Sequence, residues 1–238
     1  MNSLIDATRS RADFSGHGSA LGAAGERAKS FDADNCEHLR EPGQTIAIST
    51  SAKGFESITI GAIWNNIYRE KAGFFNRFFK KVTKTGVDLD LGCLYELKDG
   101  TRGAIQAFGE KFGSFDSPPY MCLSGDERTG DAQGQDEYIV VNGKHWDKIK
   151  KLLIYIYIYD GTPNWAEINP KILIDVPGED DLAVSLASHN DRLALCAVGG
   201  LENVREGIIL TNYTEYFPGH AEMDRAFGFG LEWDEGKK

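Results

Sequence analysis

Fourteen residues, Ser124 to Glu137, read S-G-D-E-R-T-G-D-A-Q-G-Q-D-E and carry five carboxylates among three glycines. Asp126, Glu127, Asp131, Asp136 and Glu137 offer hard oxygen atoms, and Thr129 adds a hydroxyl. Gly130 and Gly134 let backbone carbonyls turn inward, because glycine reaches conformations closed to other residues. Calcium takes about six to eight oxygen ligands in a forgiving geometry, and such a loop can supply them. Without a cation the clustered carboxylates repel one another, which opposes an ordered loop. Asp126 to Glu137 is twelve residues, the length of an EF-hand loop, but Arg128 stands third and Asp131 sixth, where that loop needs glycine. A second acidic feature lies upstream, where Asp88 and Asp90 flank Leu89. On a strand, residues two apart share a face, which sets these carboxylates roughly 7 Å apart at Cα. Pair and loop together suggest a bipartite cation site. The competing readings are a solvated acidic rim and a metal-dependent hydrolase in which magnesium or manganese activates water. Magnesium prefers few carboxylates and several waters, so the density of acids favours calcium over the hydrolase.

The elements that position these residues read as strands. Ile46 and Ile48 alternate with smaller neighbours, and Ser57–Trp64 repeats the pattern. Val87–Tyr95 is followed by Lys98-Asp99-Gly100, a hairpin turn signal. Further strands are expected at 138–141, 152–159, 171–176, 192–198 and 208–216. In Leu152–Tyr159, Ile154, Ile156 and Ile158 share one face and Tyr155, Tyr157 and Tyr159 the other. Many strands at short spacing indicate an all-β sandwich. Helix signals are few, the best being 144–150 and the segment around 74–84. Residues 1–43 are rich in small residues without an apolar period, which reads as a flexible N-terminal tail ahead of one domain over 44–238.

Composition narrows the function. The 238 residues carry 36 acidic against 26 basic side chains, a net charge of −10, and nucleic-acid binding is not expected. No basic region followed by an apolar run opens the sequence, and no apolar run suffices to span a bilayer. Cys36, Cys93, Cys122 and Cys196 are scattered, without a Cys-x-x-Cys pair, which fits a reducing cytoplasm.

Other constellations are weaker. Phe74, Phe75, Phe78 and Phe79 fall on one helical face edged by Arg77, Lys80 and Lys81. That segment is either a surface for anionic lipid or an acidic partner, or an aromatic cap on the sandwich with its lysines in water. The tyrosine face of 152–159 is read as packing rather than a stacking platform. His220 is read as a loop residue, and Glu179–Asp181 as an exposed turn. No nucleophile elbow, His-Glu-x-x-His or phosphate-loop motif is present, so the chain is expected not to be an enzyme.

Three stretches carry a family resemblance: Val87-Asp-Leu-Asp-Leu91, the loop Leu123–Glu137, and Asp147-Lys-Ile-Lys-Lys-Leu-Leu-Ile-Tyr-Ile-Tyr157. Over residues 44–238 the chain resembles the tellurium-resistance TerD-type family, and the closing stretch Tyr216–Gly230 looks more like its TerA branch. The resemblance implies a calcium-binding β-sandwich, cytoplasmic, in a bacterial stress-response system, with other proteins of that system as partners. It carries ligand roles onto Asp88, Asp90, Asp126, Thr129, Gly130, Gly134, Asp136 and Glu137. Glu127, Asp131 and Ala132 depart from the family pattern, and Gln135 replaces a carboxylate, implying one strong site and a second weaker or missing one.

Overall fold

In the computed structural model the described residues are 36–49, 55–65, 69–70, 84–85, 87–107, 109, 111–123, 137–186, 188–205 and 207–233. They are mostly strands: β1 (Glu37–Leu39), β2 (Thr45–Ser49), β3 (Ser57–Ile63), β4 (Arg69–Glu70), β5 (Lys84–Thr85), β6 (Asp88–Leu97), β7 (Arg102–Ile105) and β8 (Gly113–Ser114). There follow β9 (Met121–Leu123), β10 (Glu137–Asn142), β11 (Ile149–Asp160), β12 (Lys171–Asp175), β13 (Leu182–Ser185), β14 (Leu195–Val204) and β15 (Gly207–Phe217). A seven-stranded sheet runs β1-β13-β12-β3-β10-β9-β8, and a six-stranded sheet runs β2-β15-β14-β11-β6-β7. This is the all-β sandwich expected from the strand spacing.

Alternation decides the packing. On β6, Leu89, Leu91, Cys93 and Leu97 enter the core between the sheets, joined by Ile154, Ile156 and Ile158 of β11 and by Ile139 and Val141 of β10. The opposite face of the six-stranded sheet is also buried. There Leu94, Leu153, Tyr155, Leu195, Ala197 and Phe217 pack under Met223 and Phe229, with Phe227, Leu231 and Trp233 at the margin. The cover is the C-terminal helix His220–Phe227 and the segment after it. Asp224 holds that segment in place. Its carboxylate accepts hydrogen bonds from Gly230 N and Leu231 N, both at 2.6 Å, and from Trp233 Nε1 at 2.7 Å. Beside it Glu96, also buried, accepts from Lys150 Nζ at 2.8 Å and Arg102 Nη2 at 3.2 Å. The Lys150 bond foremost, opposed by burial and helped by Arg102, keeps the Glu96 carboxyl below the usual carboxylate range.

Several local expectations change. Residues 143–148 form a 3-10 turn and Ile149 already begins β11, so the helix read over 144–150 is a turn that launches a strand. β14 starts at Leu195, because Asp191 and Arg192 lie in a turn. β1 pairs in parallel with β13 and buries Leu39 completely, so the folded domain reaches upstream of Gln44 to at least Glu37. His220 opens a helix rather than sitting in a loop. The rest of the expected tail, residues 1–35, lies outside the described residues.

Asp224→Ala strips three N–H groups of their acceptor. Hydrogen bonds to a charged group contribute ~1.5–3 kcal/mol each and are not additive, so a loss of about 3 kcal/mol is expected in urea unfolding. Proteolysis of the folded variant should begin within residues 228–233.

Candidate cation site on strand β6

Asp88 and Asp90 lie on the outer face of the six-stranded sheet, in line with Gly92, Leu94 and Glu96 along β6. Asp90 is only 3% exposed and Asp88 is half-buried. In register, Asp90 stands opposite Tyr157, and Gly92 stands opposite Tyr155. Gly92 is required there, since a Cβ would run into the Tyr155 ring. The Tyr155 hydroxyl donates to Gln106 Oε1 at 2.7 Å. Burial above all raises the pKa of both Tyr155 and Tyr157, helped by Cys93 and then Asp90 at Tyr155 and by Asp90 and then Tyr159 at Tyr157. Tyr155 and Tyr157 therefore pack, as expected, beside an aspartate, while Tyr159 at the end of the strand is exposed.

Glu137 reaches the same strand from the other sheet. It shares a face with Ile139 and Val141, is fully buried, and its Oε2 accepts the Leu91 N–H at 2.6 Å. The reason lies in strand lengths. β7 pairs with β6 only from Cys93 to Glu96, so Leu91 lies beyond the end of β7 and its amide is met by a side chain instead. The consequence is positional. The acid-rich loop leaves β9 at Leu123, and Glu137, the first residue of β10, ends it against β6.

Of the nine residues read as metal ligands, three meet β6, but from different sides: Asp88 and Asp90 on its outer face, and Glu137 from the core side through the Leu91 amide. Asp126, Glu127, Thr129, Asp131, Gly134 and Asp136 lie outside the described residues. Among the described residues no group of three His, Cys, Asp or Glu side chains is placed to hold a metal. The donors that are placed are all carboxylates, a hard oxygen set that suits calcium. The aromatic segment with Phe74, Phe75, Phe78, Phe79, Lys80 and Lys81 also lies outside the described residues. Among the described residues no helix is long and apolar enough to cross a membrane. In the turn at 177–180, Glu179 and Asp180 are exposed as expected, whereas Asp181 is half-buried.

No family model matches the chain. Over 152 residues it is 39% identical to the tellurium resistance protein TerA of an Alcaligenes species, covering 64% of this chain and 44% of that protein. Over 132 residues it is 29% identical to the tellurium resistance protein TerX of Serratia marcescens, covering 50% of this chain and 61% of the relative. The chain is similar to these two tellurium resistance proteins over part of its length. Of these two, the TerA protein is the nearer, in keeping with the resemblance of the closing stretch. The matches span less than two thirds of either relative's own length.

The sequence reading missed the neighbours of the aspartates on the covered face. His220 packs on Tyr155 and Tyr157, each at 5.2 Å between ring centroids, and stacks on Trp233 at 5.0 Å. The signal was present: Met223 and Phe227 are four apart, and Gly228 closes the run in the left-handed conformation a helix stop uses.

Burial lowers the His220 ionisation to about 4, from an ordinary value of 6.5. The unfolded chain therefore takes up this proton first, and stability falls as pH drops from about 6.5 towards about 4. The loss from this group should reach roughly 3 kcal/mol. Urea denaturation at pH 7.0 and 4.5 should show it, and His220→Phe should flatten the difference.

Proposed function

We propose that the protein is a calcium-binding β-sandwich module of a bacterial tellurite-resistance or stress-response system. In this reading it works in the cytoplasm through contacts with other proteins of that system, and it is not an enzyme. The carrying observation is the Glu137–Leu91 contact, which ends the acid-rich loop on the strand that bears Asp88 and Asp90. Asp88 and Asp90, with Asp126, Glu127, Thr129, Asp131, Gly134, Asp136 and Glu137, would hold the ion. Bound calcium would supply charge neutralisation, turning carboxylate repulsion into attraction that ties the loop to β6. Kinship with TerA and TerX supports the system, and the lack of a nucleophile or phosphate-loop motif agrees with a binding role.

Calorimetry on chelator-stripped protein tests this. Calcium should bind with one strong site, and at about a hundredfold excess over its Kd it should stabilise the fold by ~2.7 kcal/mol. Equal magnesium should raise the melting temperature less. Asp90→Asn and Asp136→Asn should each blunt the calcium-dependent rise, while Glu179→Gln should leave it intact. No heat at millimolar calcium, with an unchanged melting curve, would reduce the acidic loop to a solvated rim.

A further inference from the structure

On the opposite side of the sandwich, a thiol, an imidazole and a hydroxyl form a chain. Cys36 Sγ lies 3.5 Å from His38 Nε2, and His38 Nδ1 lies 3.4 Å from Ser185 Oγ. Strand alternation explains the meeting. Leu39 enters the core between the sheets, which turns His38 to the outer side of β1, and Cys36 is two residues earlier. Ser185 ends β13, the strand that β1 joins in parallel. A single tautomer satisfies both contacts. With its proton on Nδ1, the imidazole donates to Ser185 Oγ and leaves Nε2 to receive the thiol proton. A nucleophile in reach of a base, with that base oriented by a third group, is the arrangement that activates a side chain.

The other cysteines show the contrast. Cys93, Cys122 and Cys196 are buried, and desolvation raises each thiol, Cys122 to about 12. Cys36 is only half-buried. It pairs with a histidine whose neighbours across the strand pair are Ala183 and Ser185.

We propose that Cys36 is an activated thiol, a covalent modification site for small uncharged electrophiles, with His38 receiving its proton and Ser185 holding the imidazole. Iodoacetamide is a suitable probe. The thiol proton passes to His38 Nε2, and the sulfur lone pair attacks the methylene carbon. A carbon–sulfur bond forms as the carbon–iodine bond breaks, and iodide leaves with its electron pair. No oxidant or reductant is consumed.

The test is the pH profile of carbamidomethylation of the folded full-length chain, read by peptide mass spectrometry against a short unstructured cysteine peptide. An ordinary thiol titrates near about 8.5. Cys36 should be modified with a midpoint below about 7.5, several-fold faster than the peptide at pH 7, while Cys93, Cys122 and Cys196 stay unmodified. His38→Gln should move the midpoint up by about one unit, and Ser185→Ala should move it less in the same direction. A purely structural contact would leave the profile at the peptide's midpoint. A wild-type midpoint matching the peptide, or a His38→Gln profile superimposed on the wild type, would overturn the proposal. The wild-type midpoint decides the matter even if His38→Gln does not fold.

Discussion

Beyond Cys93 the ladder between β6 and β7 ends, and the Leu91 amide donates across the sandwich to the Glu137 carboxylate at 2.6 Å. That one hydrogen bond links the two sheets at the edge where strand pairing stops. A buried amide must find an acceptor, and a charged acceptor makes the bond stronger than a neutral one. Because Glu137 also ends the acid-rich loop, satisfying a backbone group fixes where the loop returns. Where Glu137 meets β6 thus follows from a length mismatch between two neighbouring strands.

The same strand is buried on both faces, which is unusual for a sheet at the outside of a two-layer sandwich. The C-terminal helix and the segment to Trp233 form a partial third layer, pinned by Asp224 from within and by Arg102 Nη1 donating to the Phe229 carbonyl at 2.9 Å. Lys151 adds to the seam, with its ammonium 4.4 Å from the centre of the Phe229 ring. The cover packs on Tyr155 and Tyr157, and on the same face Asp90 and the Tyr155–Gln106 pair are buried. Electrostatic interactions strengthen as the local dielectric falls, so a carboxylate held there responds strongly to any cation that reaches it. Asp88 and Asp90 and the packing of the C-terminal segment therefore share one face of the sheet.

Much of this was legible in the sequence, for physical reasons. β11 alternates isoleucine with tyrosine, and β6 alternates leucine with polar residues, so both faces could be assigned before any coordinates. The acid spacing of residues 124–137 suggested a cation, which stands as a proposal, and similarity to TerA and TerX agrees with the family resemblance. Short strands escaped notice. β1 has one buried apolar residue, Leu39, and a single residue carries no period. The turn at 143–148 misled because its lysines and tryptophan fit a helix locally, whereas pairing of Ile149 and Lys151 with β6 claims the chain sooner. The C-terminal helix carried a signal in Met223, Phe227 and Gly228, but its approach Pro218-Gly219 reads as a loop and drew the reading away. Its partners on the sheet are far away in sequence, so no local pattern could reveal that the tyrosine face was covered.

If the acid-rich loop and β6 close on one calcium ion, their backbones must become harder to open together. Hydrogen–deuterium exchange on chelator-stripped protein, with and without calcium, reads this residue by residue. The account predicts slower exchange in peptides spanning 87–91, including the Leu91 amide, and 124–137, with little effect from equal magnesium. Exchange that stays the same in both segments at saturating calcium would contradict it.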